Sequence, residues 1–143
     1  MIDLHTHSTA SDGSFSPEEL IKEALKIGLY AIALTDHDTI SGLRNFESAA
    51  KTFNFKHYVS GVEISARLST NSIHICGLFI DMESKKLSSL LNWIRQKRDE
   101  RNVKIIENFK KLGYEISLEE LDQTAKGESQ GRPHMAKILV SKG

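Results

Sequence analysis

His5 and His7 stand two residues apart in the run IDLHTHSTASDG, and Asp12 closes a Ser-Asp-Gly turn just after them. Alternate side chains of an extended strand share a face, so the two imidazoles project together. With Asp12 they offer two borderline nitrogens and one hard oxygen to a divalent cation. Farther along, His37 lies in LTDHDT, Glu63 in GVEIS and His74 in SIHICG. Glu63 and His74 sit in otherwise apolar runs, where an unpaired charge is expensive and a metal would supply the partner. His5, His7, Asp12, His37, Glu63 and His74 are all of types that bind first-row divalent metals, and two or three ions could share them. Glu63 is the natural bridge, because one carboxylate can hold two ions near the same substrate. Such a cluster grips phosphate oxygens, acidifies a bound water and offsets charge on a leaving oxygen. Hydrolysis of a phosphate ester is the chemistry it suits best.

The elements that must position these residues can be read from the pattern. Ile2 and Leu4 mark a short buried strand. Ser16, Pro17 and Glu19 form an N-cap, a first-turn proline and a capping-box acid, opening a helix that Gly28 closes. YAIALT reads as a buried strand that empties Asp36, His37, Asp38 and Thr39 at its C-terminal end. The spacing predicts a second helix over 40–53, with Leu43, Phe46, Ala49, Ala50 and Phe53 on one face. Strand, helix, strand, helix argues for parallel strands in an α/β barrel or open sheet, whose sites gather at the C-terminal strand ends. Two strands follow closely, over 57–65 and 72–80. From Glu83 a long charged amphipathic helix runs to Gly113, with no apolar residue over 95–101, a stretch expected to be solvated. Ser117 caps a short helix, AKGESQG is a loop, and GRPH leads into a last helix.

At 143 residues, with 39% hydrophobic and 27% charged residues, the chain has the size and composition of one soluble globular domain. Its 19 basic and 19 acidic residues cancel. Any phosphate-bearing substrate must therefore be held by a local site rather than by a basic surface. No apolar run is long enough to span a bilayer, and the N-terminus lacks a basic segment followed by an apolar one, so no membrane association and a cytoplasmic location are expected. The single Cys76 has no intrachain partner and, within IHICGLFI, is expected to be a buried small apolar residue.

DLHTHSTASDG, ALTDHDT, GVEIS and the His74 strand, in this order and spacing, resemble the PHP family, named for polymerase and histidinol phosphatase. The long inserted helix and GRPHMAK resemble one branch of it, the bacterial phosphoesterases that act on 3′,5′-bisphosphate nucleotides or trim RNA from its 5′ end. The resemblance implies an α/β fold, a distorted (β/α)7 barrel with up to three manganese, iron or zinc ions. Here the barrel is expected to be incomplete: residues 1–82 would form its N-terminal part and residues 83–143 a helical insertion that includes GRPH. By the same likeness His5 and His7 would hold one ion, Glu63 would bridge it to a second held also by His74, and Asp12 and His37 would hold the third. Glu63 and His37 would be the catalytic residues, and Arg132 and His134 the substrate-phosphate contacts, as suits a planar guanidinium. Members of this branch are about twice as long, and their second half carries further ligands in a His-Pro and an Asp-x-His motif. Six ligands and an open barrel are thus expected, with a free strand edge that favours a homodimer or strand exchange.

The expected substrate is a small nucleotide or a short RNA end. The alternatives are a catalytically incomplete module that binds metal or phosphate without turnover, and a histidinol-phosphatase-like or polymerase-associated domain. GRPHMAK argues against the last two. His57 and Asp3 are expected to have no role, Asp38 to support a ligand or cap a helix, and Trp93 to pack with the leucines of the long helix.

Overall fold

The computed structural model describes residues 1–69 and 71–143. Four strands, β1 (Ile2–Thr6), β2 (Ala31–Leu34), β3 (Tyr58–Leu68) and β4 (Asn71–Leu78), form one sheet in the order β1-β2-β3-β4, curled into a half-barrel. The first three run parallel. β4 is antiparallel to β3, departing from the all-parallel expectation because the short turn between the two strands can only fold back as a hairpin. β3 runs three residues beyond its expected end and β4 begins one residue early, so their ladder holds eight residue pairs, from Gly61↔Leu78 to Leu68↔Asn71.

Helices α1 (Pro17–Lys26) and α2 (Leu43–Thr52) cover the sheet's outer face. Ile21 and Ala24 of α1 and Leu43, Phe46, Ala49 and Ala50 of α2 close over Ile32 and Leu34 of β2, all buried. α1 starts as its sequence demands: the Ser16 hydroxyl accepts from the Glu19 N–H, and the Glu19 carboxylate accepts from the Ser16 N–H. α2 begins at Leu43 rather than residue 40.

Beyond the sheet lie α3 (Lys85–Lys111), α4 (Leu118–Thr124) and α5 (Arg132–Lys142). They share their own core of Ile106, Ile116, Leu121, Met135 and Ile138. The loop between α4 and α5 presses on the turn after β1: a Cβ on Gly127 would stand 2.1 Å from the Ala10 carbonyl oxygen, so only glycine fits there.

Three sequence expectations give way here. β1 is not buried, Ile2 being 58% and Leu4 40% exposed, because it is an edge strand paired only with β2. Cys76 is exposed, not buried, because β4 is the last strand of the sheet and its residues 71–76 are all exposed. Residues 95–101 are not simply solvated: Arg95, Arg98 and Arg101 are half-buried and Asn102 is fully buried. The reason lies on β2's far end, at Asp38.

Candidate metal centre

The strands and the turns that follow β1 and β2 bring the six singled-out residues to one place. β1 carries His5, and the turn after it carries His7 and Asp12. The β2–β3 ladder breaks after Leu34↔Ser60 and resumes as a bridge between His37 and Glu63, with Asp38 N–H donating to Glu63 O and Glu63 N–H to Asp36 O. That resumed pairing sets His37 beside Glu63. His74 follows from the hairpin register: it pairs with Ser65, two pairs along from Glu63 and on the same face.

Glu63 is the hub. Its Oε2 lies 3.0 Å from His5 Nε2, 3.1 Å from His7 Nε2 and 3.1 Å from His37 Nδ1, and its Oε1 lies 2.9 Å from His74 Nδ1. Asp12 stands beyond, 3.5 Å from His7 Nδ1 and 3.6 Å from His37 Nε2. Three overlapping groups each gather their donor atoms within 4.8 Å: His7, Asp12 and His37; His37, Glu63 and His74; and His5, Glu63 and Cys76. The last brings in Cys76, which pairs with Glu63 across the hairpin. The Glu63 side chain is 5% exposed while that of His5 is 53% exposed, so the hub is closed below and open on the β1 side.

Charge on these groups follows from their neighbours. Burial would raise the Glu63 carboxyl, but the hydrogen bond from His5 and the charges of His37, His5 and His7 outweigh it and hold it below the usual carboxylate range. Burial foremost keeps His37 below the ordinary imidazole value, against the pull of Asp12 and Glu63. His37 is thus inclined to be neutral, the state in which an imidazole ligates. Its Nδ1 is buried without a hydrogen-bond partner; Glu63 Oε2 is near but not aligned for one. An orphaned imidazole nitrogen beside a buried carboxylate, within a set of nitrogen and oxygen donors, fits divalent metal ions.

Supporting contacts that the sequence did not reveal hold these ligands. Asp36, buried, accepts from the Ser8 N–H at 2.7 Å and from the hydroxyls of Ser8 and Ser11 at 2.6 Å each, pinning the turn that carries His7 and Asp12. A Cβ on Gly13 would meet the His7 carbonyl oxygen at 2.2 Å, so that turn closes only around glycine. Asp38 has a left-handed backbone, φ 53°, which aspartate tolerates better than most residues. It accepts from the Ser65 N–H and from Arg98 Nε. Arg98 also donates to Ser65 Oγ at 2.8 Å, and Arg95 to the Asp38 carbonyl at 3.0 Å. Asp38 therefore ties α3 to the metal centre and caps no helix. Only the flanking carboxylates of DHD hinted at this; the arginines are about 60 residues away.

Arg132 and His134 lie at the start of α5. His134 is buried, its Nδ1 accepting from the Gly131 N–H at 3.2 Å. Burial, then the Lys137 charge, lower its affinity for a proton, against Asp12 and the Ser11 and Gly131 backbone. The ring packs beside the Asp12 turn. Arg132 is exposed and points into a cavity with Arg98 and Arg101. His57 stacks on Tyr30, ring centres 4.3 Å apart, away from the centre. Asp3 accepts from the His5 N–H.

A curled α/β sheet on which four imidazoles converge on a buried carboxylate defines a candidate metal-binding domain. The chain belongs to the PHP domain family, whose model matches residues 3–139. It is 40% identical over 141 residues to a 5′-3′ exoribonuclease of Haemophilus influenzae, covering 99% of this chain and 51% of that one. It is 34% identical over 146 residues to a 3′,5′-nucleoside bisphosphate phosphatase of Chromobacterium violaceum, covering 99% and 50%. Among solved structures, one from Bifidobacterium adolescentis, assigned as a metal-dependent phosphoesterase, superposes with a TM-score of 0.90 at 29% identity, over 98% of this chain and 49% of that one. The chain spans about half the length of the curated relatives it matches. The fold is that of an incomplete PHP barrel. Among the described residues no helix is long and apolar enough to cross a membrane.

Proposed function

We propose that this chain carries the metal centre of a phosphoesterase that hydrolyses a phosphate ester of a nucleotide or of an RNA 5′ end. The observation that carries the reading is the convergence of four imidazoles on the one buried carboxylate of Glu63. His5, His7, Asp12, His37, Glu63 and His74 would hold two or three ions, with manganese, iron and zinc all suited to this donor set. Bound there, such ions supply Lewis acidity to the phosphoryl oxygens and a nucleophile from water at neutral pH.

The chain's own groups do the rest. Glu63 fixes the spacing of the donors and His37 stays neutral beside it. The Asp36 clasp keeps His7 and Asp12 in place. Arg132 offers a planar guanidinium to the substrate phosphate. His134, through its bond to the Gly131 backbone and its contact with the Asp12 turn, sets where Arg132 stands. In this reading residues 1–82 provide the metal centre, and residues 83–143 bring the arginines over it.

The readings of relatives as an exoribonuclease and a bisphosphate phosphatase support a nucleotide substrate. A second reading is binding of metal and phosphate without turnover, with the donor set left open at His5, whose side chain is 53% exposed. Exposed Leu68, Ile73, Ile75 and Phe79 around β4 favour self-association through that edge as a homodimer or by strand exchange.

Metal analysis of the purified chain, with a manganese-supplemented assay on a 3′,5′-bisphosphate nucleotide, tests the first reading against the second. Two to three ions with turnover, both lost in His7→Ala, are expected. Bound metal without turnover selects the second reading, and no bound metal overturns both.

A further inference from the structure

A cavity of about 710 Å³ opens between α3 and the far part of the β3–β4 hairpin. Arg67, Lys97, Arg98, Arg101 and Arg132 line it, and no acidic residue does among the described residues. Arg98 is satisfied by Asp38 and Ser65, but Arg101 is not: its Nε is buried with no hydrogen-bond partner. Burial, then the charges of Arg98 and Arg132, press its affinity for a proton downward. Crowded guanidiniums around a hollow are stabilised by an anion placed among them. Because the chain as a whole is neutral, this charge is local to the cavity.

The second feature is Trp93, on the same wall. Its neighbours Leu91 and Ile94 are buried, yet Trp93 is 57% exposed, so it does not pack as its helix pattern suggested. A flat exposed ring beside cations offers a surface on which any nucleobase can stack. The volume falls in the range of small-ligand sites, roughly 300–1,000 Å³, well above what a bare phosphate fills. The cavity also adjoins the metal centre. Ser65, on its wall, lies two residues past Glu63 and pairs with His74, and Arg98 reaches Asp38 next to His37.

We infer that this cavity seats the nucleoside part of the substrate, its base on Trp93 and a phosphate between Arg101 and Arg132. The inference rests on the phosphoesterase reading and adds to it a seat for a base.

Trp93 is the chain's only tryptophan, so its fluorescence reads the seat directly. The full chain, with chelator and no metal, is titrated with adenosine 3′,5′-bisphosphate and, separately, with inorganic phosphate. Saturable quenching by the nucleotide and none by phosphate is expected. Arg132→Ala, an exposed change that leaves the core alone, weakens the midpoint about tenfold, the worth of one charged hydrogen bond. Arg101→Lys, which keeps the charge and loses the fork, weakens it as well. Glu63→Gln, which alters the metal centre and not the cavity, leaves this metal-free midpoint in place. Absent quenching overturns the inference, as do midpoints unmoved by both arginine changes, or quenching lost in Glu63→Gln. Loss of hydrolysis alone, with quenching intact, counts against the phosphoesterase reading and not against the seat.

Discussion

The metal centre and the arginine-lined cavity adjoin each other but are built in opposite ways. The centre gathers side chains from successive strands and from the turns after β1 and β2, each fixed by backbone pairing such as the His37↔Glu63 bridge. Its hub is closed below and open only on the β1 side, and its donors are aimed before any ligand arrives. The cavity is formed by side chains reaching across long sequence separations from a helix to a hairpin, and its cations outnumber their partners. One region is organised by the fold itself, the other by a small number of tethers. Asp38 belongs to both, touching the centre through its chain neighbour His37 and the cavity through Arg98.

Breaking that tether should have the largest effect. The Asp38 side chain is fully buried and that of Arg98 is 11% exposed, so Arg98→Ala strands a buried carboxylate and is expected to cost about 3–5 kcal/mol, read as a lowered denaturation midpoint. The paired change Arg98→Met with Asp38→Asn should recover part of it. A cost below about 1 kcal/mol would show that α3 is not anchored through this pair, and that the two regions are independent.

A smaller loss is expected from Asp36→Asn, which weakens the clasp on the turn carrying His7 and Asp12 without touching a donor. Groups that orient metal ligands are typically worth about 10–100-fold in affinity, and titration calorimetry with manganese should find a loss in that range. Nucleotide quenching of Trp93 should not change. Equal losses in both readouts would mean that the centre and the cavity are a single site.

How much of this was legible in the sequence differs between the two regions for a physical reason. The succession of strands and helices along the chain, the α1 cap and all six converging residues could be read, because each depends on spacing within a few residues. The hairpin's sense needed only the shortness of its turn. Cys76 and Trp93 were misread because an apolar setting in the chain does not say whether a neighbour covers it: β4 has one strand partner, and α3 turns Trp93 toward the cavity. Arg95, Arg98 and Arg101 read as a solvated run because their partner Asp38 lies about 60 residues away, and charge patterning carries no information about such distances. Asp36 and Asp38 were visible only as companions of His37.

Acid sharpens the contrast further, since the hub holds shifted groups in the carboxylate and imidazole ranges, with His134 beside the Asp12 turn lowered like His37, while no Asp, Glu or His among the described residues lines the cavity. His37 is lowered from 6.5, so below that pH the unfolded chain takes up a proton that the folded chain refuses, and stability falls as the pH drops. Glu63 is lowered from 4.5 and stabilises above that value, its share being lost as the pH falls through its folded value. The metal-free chain should therefore melt at a constant temperature above about pH 7.5 and at progressively lower temperatures below about 6.5, at no more than about 1.4 kcal/mol per pH unit for one proton. His37→Gln should flatten the upper part of that slope. Identical melting at pH 7.5 and 5.5 would contradict a His37 held neutral by burial.

The smallest effect is expected at Cys76, which lies directly across the hairpin from Glu63 and within reach of His5 but outside the six residues of the centre. Because it is exposed, Cys76→Ser should change stability by no more than about 0.5 kcal/mol, and metal content should not change. Residual burial, then the Glu63 charge, raise the Cys76 thiol above its ordinary value, so thiol-specific reagents should modify it more slowly than a free cysteine, and faster once Glu63→Gln removes that charge. If Cys76→Ser instead lowers metal content, the thiol is itself a ligand. The centre would then gain a seventh donor, and its open side at His5 would be part of the metal site.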